Sequence, residues 1–193
     1  MKLKSGRILV VVAHPDDETI WMGGMILKNP QLDWTIFALC RASDRDRAPK
    51  FRKVCAYYGA RAIIADLEDE DITDIRESIP KIQRIIKRKI GKEHFDYIFS
   101  HGKNGEYGHP RHVGVHQAVK NMVYARELKC GRFFTFSYFV DSKKRIHNSP
   151  RSGFFIELKR NDLMEKRNII KKFYGFDSRS FENISCLVKE TFI

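Results

Sequence analysis

The sequence predicts an α/β fold in three layers, with a mainly parallel sheet between helices on both faces. Strand-like and helix-like segments alternate along the first two thirds of the chain, and this alternation is typical of βαβ units. Residues 8–13 form a continuous apolar run rich in valine, as expected for a strand buried on both faces of a parallel sheet. The short connections favour right-handed crossovers between parallel neighbours.

Each element has its own sequence signal. Shorter apolar runs predict further strands at residues 34–40, 62–65 and 97–100. Helical periodicity predicts helices at residues 19–27, 50–58, 79–90 and about 111–126. Pro80 is expected in the first turn of the helix at residues 79–90, where its missing N–H does no harm.

The last third of the chain changes character. Aromatic segments predict strands at residues 132–140 and 153–158, joined by a polar loop. A closing helix is expected at residues 161–173, with Asn161 or Asp162 as its cap. Four of its apolar side chains are expected to face inward: Leu163, Ile169, Ile170 and Phe173.

Composition indicates one folded domain, residues 1–193. The chain has 42% hydrophobic and 12% aromatic residues, which excludes wholesale disorder. Its four cysteines are scattered and lack the spacing of a zinc knuckle or a disulfide framework. The longest apolar run, residues 8–13, is far shorter than the roughly 20 residues that a membrane helix needs. We therefore expect no transmembrane segment and a cytoplasmic location.

The formal net charge is +12, with 36 basic against 24 acidic residues. Basic residues gather in residues 41–53 and 81–92, whereas residues 66–71 hold five acids in six positions. Solvated helix faces explain most such runs, but a basic surface around an anionic substrate, a membrane headgroup or a nucleic acid stays open. No motif that reads nucleic-acid bases is present in the sequence, so sequence-specific recognition is not expected.

Residues that can bind a metal or transfer a proton follow the first strand. The strand leads into His14-Pro15-Asp16-Asp17-Glu18 rather than into a glycine-rich turn, so a dinucleotide fingerprint is absent from this otherwise Rossmann-like pattern. Pro15 favours an extended His14, and Asp16 and Asp17 are expected to point in different directions. One carboxylate can then bind a metal while the other contacts a water bound to that metal. The alternative is that Asp16 or Asp17 only caps the helix that follows.

A second cluster follows the fourth predicted strand. Three glycines between residues 102 and 108 mark a loop that lets the backbone approach a ligand. His109, His112 and His116 follow, with His112 and His116 on one helix face. His116 is expected to pack beside the core, whereas metal ligation suits His112 at the first turn. No Glu completes a zincin-type motif between them.

Together the two clusters resemble the LmbE/PIG-L family of zinc-dependent deacetylases, which act on N-acetylglucosamine-type sugars. The resemblance rests on AHPDDE after the first strand and on GHPRH about a hundred residues later, and it extends to about Met122. It implies an LmbE-like fold in which His14, Asp17 and His112 bind Zn²⁺ or another divalent transition metal. A site with two histidines and one carboxylate leaves a coordination position open for water.

The resemblance also implies roles for three further residues. Asp16 corresponds to the general base, His109 to the residue that assists the oxyanion or the leaving group, and Arg47 to a substrate contact. Two positions depart from the family pattern. Arg111 stands where the family usually has Asp, and it would lower the pKa of a nearby His109. Lys50 stands where the family often has Glu.

The leading functional hypothesis is therefore a zinc-dependent N-deacetylase acting on an N-acetylated amino sugar or its conjugate, which could be anionic. One alternative is a zinc amidase acting on another amide, such as a thiol conjugate or a lipid-linked sugar. Another is a non-catalytic polyanion-binding protein. The sequence leaves a homo-oligomer open.

Overall fold

The computed structural model describes residue 3 and residues 6–69 and 74–193. The acids Glu70 and Asp71 of the acidic run lie outside these residues. The strands are β1 (Arg7–Val12), β2 (Asp33–Ala38), β3 (Arg61–Ile64), β4 (His94–Ser100), β5 (Lys129–Thr135), β6 (Tyr138–Val140), β7 (Ile146–Asn148), β8 (Phe154–Glu157) and β9 (Lys189–Phe192). The helices are α1 (Asp17–Leu27), α2 (Arg47–Tyr57), α3 (Ile75–Ile90), α4 (Gly105–Gly108), α5 (Pro110–Tyr124), α6 (Arg160–Ile169) and α7 (Phe181–Ile184).

The first five strands form one parallel sheet in the order β3-β2-β1-β4-β5. Strand β1 lies at the centre, and its residues from Ile8 onward are fully buried, because both faces of the sheet are covered. One face packs against α1, α2 and α6, and the other packs against α3 and α5. The predicted three-layer α/β fold is confirmed, and its apolar core lies in two clusters, one on each side of the sheet.

Helix α3 begins earlier than predicted. Asp74 is its N-cap and accepts a hydrogen bond from the backbone N–H of Arg76 at 2.7 Å. Pro80 therefore lies in the second turn rather than in the first, so that prediction was wrong. The polar cap decides where the helix begins, whereas the apolar periodicity used for the prediction starts only where the helix meets the core.

The segment predicted as one strand at residues 132–140 is two strands. β5 pairs with β4 in the parallel sheet, whereas β6 turns away to pair with β7 in an antiparallel hairpin. β8 pairs with β9 in an antiparallel pair near the chain's last residues. Neither β7 nor β9 was predicted, since each is short and lacks a strong local pattern.

The closing helix also differs in detail from its prediction. Lys159 is the N-cap residue of α6, so neither Asn161 nor Asp162 occupies that position; Asp162 instead accepts the backbone N–H of Lys159 at 3.3 Å. After Ile169 the helix widens into a π-turn, Ile170–Tyr174. Ile169 and Ile170 are buried, as expected.

A buried ion pair joins this last part of the chain to α1. Lys166 Nζ lies 2.7 Å from Glu190 Oε1, and both side chains are fully buried. The Glu190 carboxylate also accepts the N–H groups of Gly24 and Met25, each at 2.7 Å. Non-helical dihedral angles at Met22 interrupt α1, which frees these N–H groups from the helix ladder. Within the described residues, no helix combines the length and the apolar character needed to cross a bilayer.

Candidate metal site and active-site cavity

The two polar clusters meet at one edge of the sheet. β1 and β4 are parallel neighbours, and Val11 lies opposite Ser100. Because parallel strands end at the same edge, the loop at His14 and the loop at His101 emerge side by side. A backbone contact ties them together, since the N–H of Ala13 donates to His101 Nε2 at 2.9 Å.

Three side-chain atoms form a nearly equilateral triangle at this edge. His14 Nδ1 and His112 Nε2 are 3.3 Å apart, and Asp17 Oδ2 lies 3.3 Å from the first and 3.4 Å from the second. Donor atoms about 2.0–2.1 Å from a tetrahedral Zn²⁺ are separated by about 3.4 Å. Two imidazoles and one carboxylate in this arrangement fit a divalent transition metal and leave one coordination position open.

Glu106 fixes the tautomer of His112. Its Oε2 atom lies 2.7 Å from His112 Nδ1 and 2.8 Å from His101 Nδ1. Because His101 Nε2 already accepts the N–H of Ala13, the ring proton of His101 is on Nδ1 and faces the carboxylate. The same carboxylate accepts the Nδ1 proton of His112, which leaves His112 Nε2 as a lone pair toward the triangle. Such carboxylate support is usual behind a metal-binding histidine.

Asp69 supports His14 in the same manner. Its Oδ2 atom lies 2.8 Å from His14 Nε2, so the lone pair of the neutral ring, on Nδ1, faces the triangle. Arg41 Nη2 is 3.3 Å from the same carboxylate oxygen, and Arg111 Nε is 3.7 Å from Oδ1. Burial lowers the pKa of His14, but Asp17 and Asp69 outweigh it and raise that pKa to about 10. The site therefore stabilises positive charge.

Asp16 lies beside the triangle without joining it. Its backbone φ is 114°, a left-handed conformation that is costly for a non-glycine residue and typical of functional sites. Its Oδ2 atom accepts a hydrogen bond from Arg47 Nη1 at 2.8 Å. Burial raises the pKa of the Asp16 carboxyl well above its usual range, Asp17 adds to this shift, and Arg47 opposes it. The Arg47 guanidinium in turn lies 4.4 Å from the ring centre of Phe176.

His109 is the N-cap of α5. Its Nδ1 atom accepts the backbone N–H of Arg111 at 3.2 Å, so the proton of the neutral ring is on Nε2. Its pKa is lowered to about 4, first by burial and then by the neighbouring imidazoles of His112 and His14. The sequence predicted a lowered pKa, but it attributed the shift to Arg111. The Arg111 guanidinium instead donates to the carbonyl of Glu68 and faces Asp69.

A cavity of about 380 Å³ opens over these groups, a size that suits a small-molecule ligand. Asp16, Asp17 and His109 line its floor. Trp21, Tyr107 and Phe181 add aromatic surface, and the ring centres of Tyr107 and Phe181 are 4.9 Å apart. Arg41 and Arg47 make part of the lining basic.

The structure brings all six predicted site residues to this cavity or to the triangle beneath it: His14, Asp16, Asp17, Arg47, His109 and His112. Their individual roles stay predictions. Lys50 is not among the lining residues and pairs with Asp46 at 2.7 Å on the surface of α2. His116 is buried outside the triangle, and its Nδ1 atom lies 2.8 Å from the carbonyl oxygen of His101.

Sequence reasoning missed Glu106, Asp69 and His101. Glu106 had a usable signal, because a metal-binding histidine usually hydrogen-bonds a carboxylate and Glu106 is the acid in the glycine-rich loop before His112. Asp69 follows β3, whose carboxyl end lies at the same sheet edge. Strand order, which the sequence does not give, was needed to connect Asp69 with His14.

Two further groups of side chains are close enough to share an ion, namely His101-Glu106-His112 and His14-Cys40-Asp69. Glu106 and Asp69 already accept hydrogen bonds from the histidines in these groups. Burial raises the pKa of the Cys40 thiol, which keeps it protonated and a poor ligand. The triangle of His14, Asp17 and His112 is therefore the best candidate among the described residues.

The sheet, its cavity and the donor triangle define an α/β protein with a candidate site for a single divalent ion. The family model described as PIG-L, GlcNAc-PI de-N-acetylase, matches residues 9–123. The chain belongs to the PIG-L family.

Solved structures share the fold at low sequence identity. A conserved protein from Thermus thermophilus, TT1542, is 14% identical, with a TM-score of 0.70 over 97% of this chain and 94% of that one. N,N'-diacetylchitobiose deacetylase from Pyrococcus horikoshii is 16% identical, with a TM-score of 0.63 over 97% and 82%. GalB, the 4-carboxy-2-hydroxymuconate hydratase from Pseudomonas putida, is also 16% identical, with a TM-score of 0.58 over 88% and 79%. The fold thus occurs with different chemistries, so function is argued from the site.

Proposed function

We propose that this protein is a metal-dependent N-deacetylase that hydrolyses the acetamide of an N-acetylated amino sugar, with Zn²⁺ as its metal. The observation that carries the proposal is the triangle of His14 Nδ1, Asp17 Oδ2 and His112 Nε2, with edges of 3.3 to 3.4 Å. Membership of the PIG-L family supports it. Bound there, Zn²⁺ would act as a Lewis acid and lower the pKa of water toward 7.

Asp16 is proposed as the general base. Its carboxylate lines the cavity beside the triangle, and Arg47 holds its Oδ2 atom at 2.8 Å. This contact fixes the orientation of the carboxylate while its other oxygen can accept a proton from the attacking water. General-base catalysis of this kind contributes roughly 10²- to 10⁴-fold to the rate.

His109 is proposed to stabilise the oxyanion through Nε2–H. The hydrogen bond from the Arg111 backbone to Nδ1 sets this tautomer and orientation. One preorganised donor of this type is worth roughly 3 to 4 kcal/mol in the transition state. The leaving amine receives the proton that the Asp16 carboxylate has taken from the water, either directly from Asp16 or relayed through His109, so that the acetate and the free amine balance the water consumed.

The cavity lining supports a sugar as the substrate. The aromatic surface of Trp21, Tyr107 and Phe181 suits the apolar face of a pyranose ring, whereas Arg41 and Arg47 suit hydroxyl groups or an anionic substituent. The basic segment at residues 41–53 does not favour the polyanion-binding alternative, because Arg41, Arg47 and Lys50 pair with nearby carboxylates.

The test combines metal analysis with acetate release from a panel of acetamido sugars, with and without a phosphate group. We expect one bound metal per chain and chelator-sensitive acetate release. Asp16→Asn should retain the metal and lose about 10²- to 10⁴-fold in turnover. Asp33→Asn, an exposed change in the β2 strand, is the control and should retain turnover.

Each part of the proposal can fail separately. Unchanged turnover of Asp16→Asn with metal bound would remove Asp16 from the role of base. Metal-loaded protein that releases acetate from no acetamido sugar, but hydrolyses another amide, would replace the substrate class. Salt-sensitive binding to nucleic acid that ignores chelator, without hydrolysis, would favour the polyanion-binding alternative.

A further inference from the structure

A second cavity, of about 720 Å³, lies apart from the candidate active site. Residues of α5, β5 and β6 and the loop after β7 line it, and none of them lines the active-site cavity. Its surface is mainly apolar, with aromatic contributions from Tyr124, Phe133, Phe136, Tyr138 and Phe139. Its size and its apolar surface suit the flat body of an organic molecule.

Three cations surround this apolar space. Lys103, Lys120 and Arg151 line the cavity, and the lining within the described chain contains no Asp or Glu side chain. No ion pair joins any of the three to a described acidic residue, in contrast to the arginines of the active site. Basic groups gathered without an acidic partner create a positive potential that favours an anion.

The imidazole of His116 belongs to the cavity lining, and one of its two ring nitrogens has no hydrogen-bond partner among the described residues. His116 is more than nine-tenths buried and belongs to the lining. Its Nδ1–H donates to the carbonyl of His101, so Nε2 carries a lone pair, and no described residue hydrogen-bonds it. This free acceptor on a lining residue can take a hydrogen bond from a ligand that carries an N–H or O–H group.

We propose that this cavity binds a small amphipathic organic anion. The ligand would have a flat apolar body, one sulfonate, phosphate or carboxylate group, and an N–H or O–H donor. The aromatic walls would take the body, the three cations would take the anionic group, and His116 Nε2 would accept the donor. Charge complementarity selects this occupant over a second copy of the chain, which carries the same positive potential on this surface.

Two matched probes test the proposal. 8-Anilinonaphthalene-1-sulfonate has the required body, anion and N–H group, and N-phenyl-1-naphthylamine is the same ring system without the sulfonate. We expect saturable fluorescence enhancement by the sulfonate at one site per folded chain, at least about tenfold tighter than the uncharged probe. Equal affinity for the two probes, or no saturable binding of the sulfonate, would overturn the proposal.

Variants locate the binding. Replacing Lys103, Lys120 and Arg151 together with Met should weaken sulfonate binding by about tenfold, since each partly exposed cation contributes modestly, and should leave the uncharged probe unaffected. The matched control replaces the exposed Lys53, Lys81 and Arg88 with Met, which gives the same change in net charge and should retain binding. Equal weakening by both triple variants would overturn the proposal.

A single change at the mouth of the cavity provides an independent check. Phe139 is 40% exposed, so Phe139→Glu should fold and should weaken sulfonate binding. Thermal unfolding of each variant verifies folding. Sedimentation at the same protein concentration measures self-association. If the unaltered protein is a dimer that does not bind the sulfonate, and Phe139→Glu dissociates this dimer, then a second copy of the chain covers the cavity. That result would refute the proposal. The binding assay needs neither metal nor turnover, so it is independent of the proposed deacetylase activity.

Discussion

Residues 9–123 and the 70 residues that follow contribute to the candidate site in different ways. The first region holds the three candidate ligands, together with Asp16 and His109. The second region holds no candidate ligand among its described residues. It supplies Phe181 and Glu182 to the cavity wall.

The second region also clamps α1, the helix that begins with Asp17. Tyr174 donates to Glu18 Oε1 at 2.8 Å, and Glu190 accepts two N–H groups at the interruption of α1. The candidate ligands therefore lie at the sheet edge, whereas the later chain holds α1 in place and contributes to the cavity wall. Four predictions test this division between the two regions, in order of decreasing expected effect.

The largest effect is expected for His112→Ala in the first region. Zinc sites gain about 10–16 kcal/mol from roughly four ligands, so losing one costs about 3–4 kcal/mol, or about 100- to 1,000-fold in Zn²⁺ affinity. Calorimetric titration with Zn²⁺ measures the change. His94→Ala, at an exposed position of β4, is the control, and equal losses in both variants would place the metal elsewhere.

Lys166→Met tests how the second region holds α1, because Lys166 pairs with the Glu190 carboxylate that binds this helix. It leaves the buried Glu190 carboxylate without its cation, and breaking a buried pair in this way costs about 3 kcal/mol or more. Denaturant unfolding measures the free energy of unfolding. Lys28→Met removes an exposed ion pair with Asp162 instead, which should cost less than about 1 kcal/mol. Similar values for the two variants would show that the clamp is unimportant.

Glu106→Gln tests the support of the first region without removing a ligand. In the native protein, the negatively charged Glu106 carboxylate accepts hydrogen bonds from both His101 and His112. The neutral amide of Gln is a weaker acceptor, so Zn²⁺ affinity should fall by about 10- to 100-fold. Glu127→Gln, at an exposed residue, should leave the affinity unchanged. Affinity retained in Glu106→Gln would mean that His112 needs no carboxylate behind it.

The smallest effect is expected for Phe181→Ala in the cavity wall. This side chain is 39% exposed and contacts Tyr107, so its loss should raise KM for an acetamido sugar by about 3- to 10-fold, as expected for a partly buried apolar contact. Ile184→Ala in the same short helix does not alter the cavity lining and should leave KM unchanged. A loss of stability with unchanged KM would assign Phe181 a structural role alone.

Prediction from sequence succeeded where local patterns are strong. The central strands and the helices over both sheet faces followed from hydrophobic periodicity, because burial on one or both faces imposes that period. It failed at the helix starts of α3 and α6, at the break between β5 and β6, and at β7 and β9. Those features depend on caps or on pairing with other segments, which local periodicity does not record.

For the site, the sequence alone identified the candidate residues: His14, Asp16, Asp17, His109 and His112 stand in two short motifs that follow strands, and residue type limits what they can bind or protonate. Tertiary structure decided their arrangement and their support. Only the parallel pairing of β1 with β4 brings the two motifs within 3.4 Å of each other. Only the strand order places Asp69 behind His14 and turns Arg111 toward Asp69, because contacts between distant segments depend on how the sheet assembles and not on any local pattern.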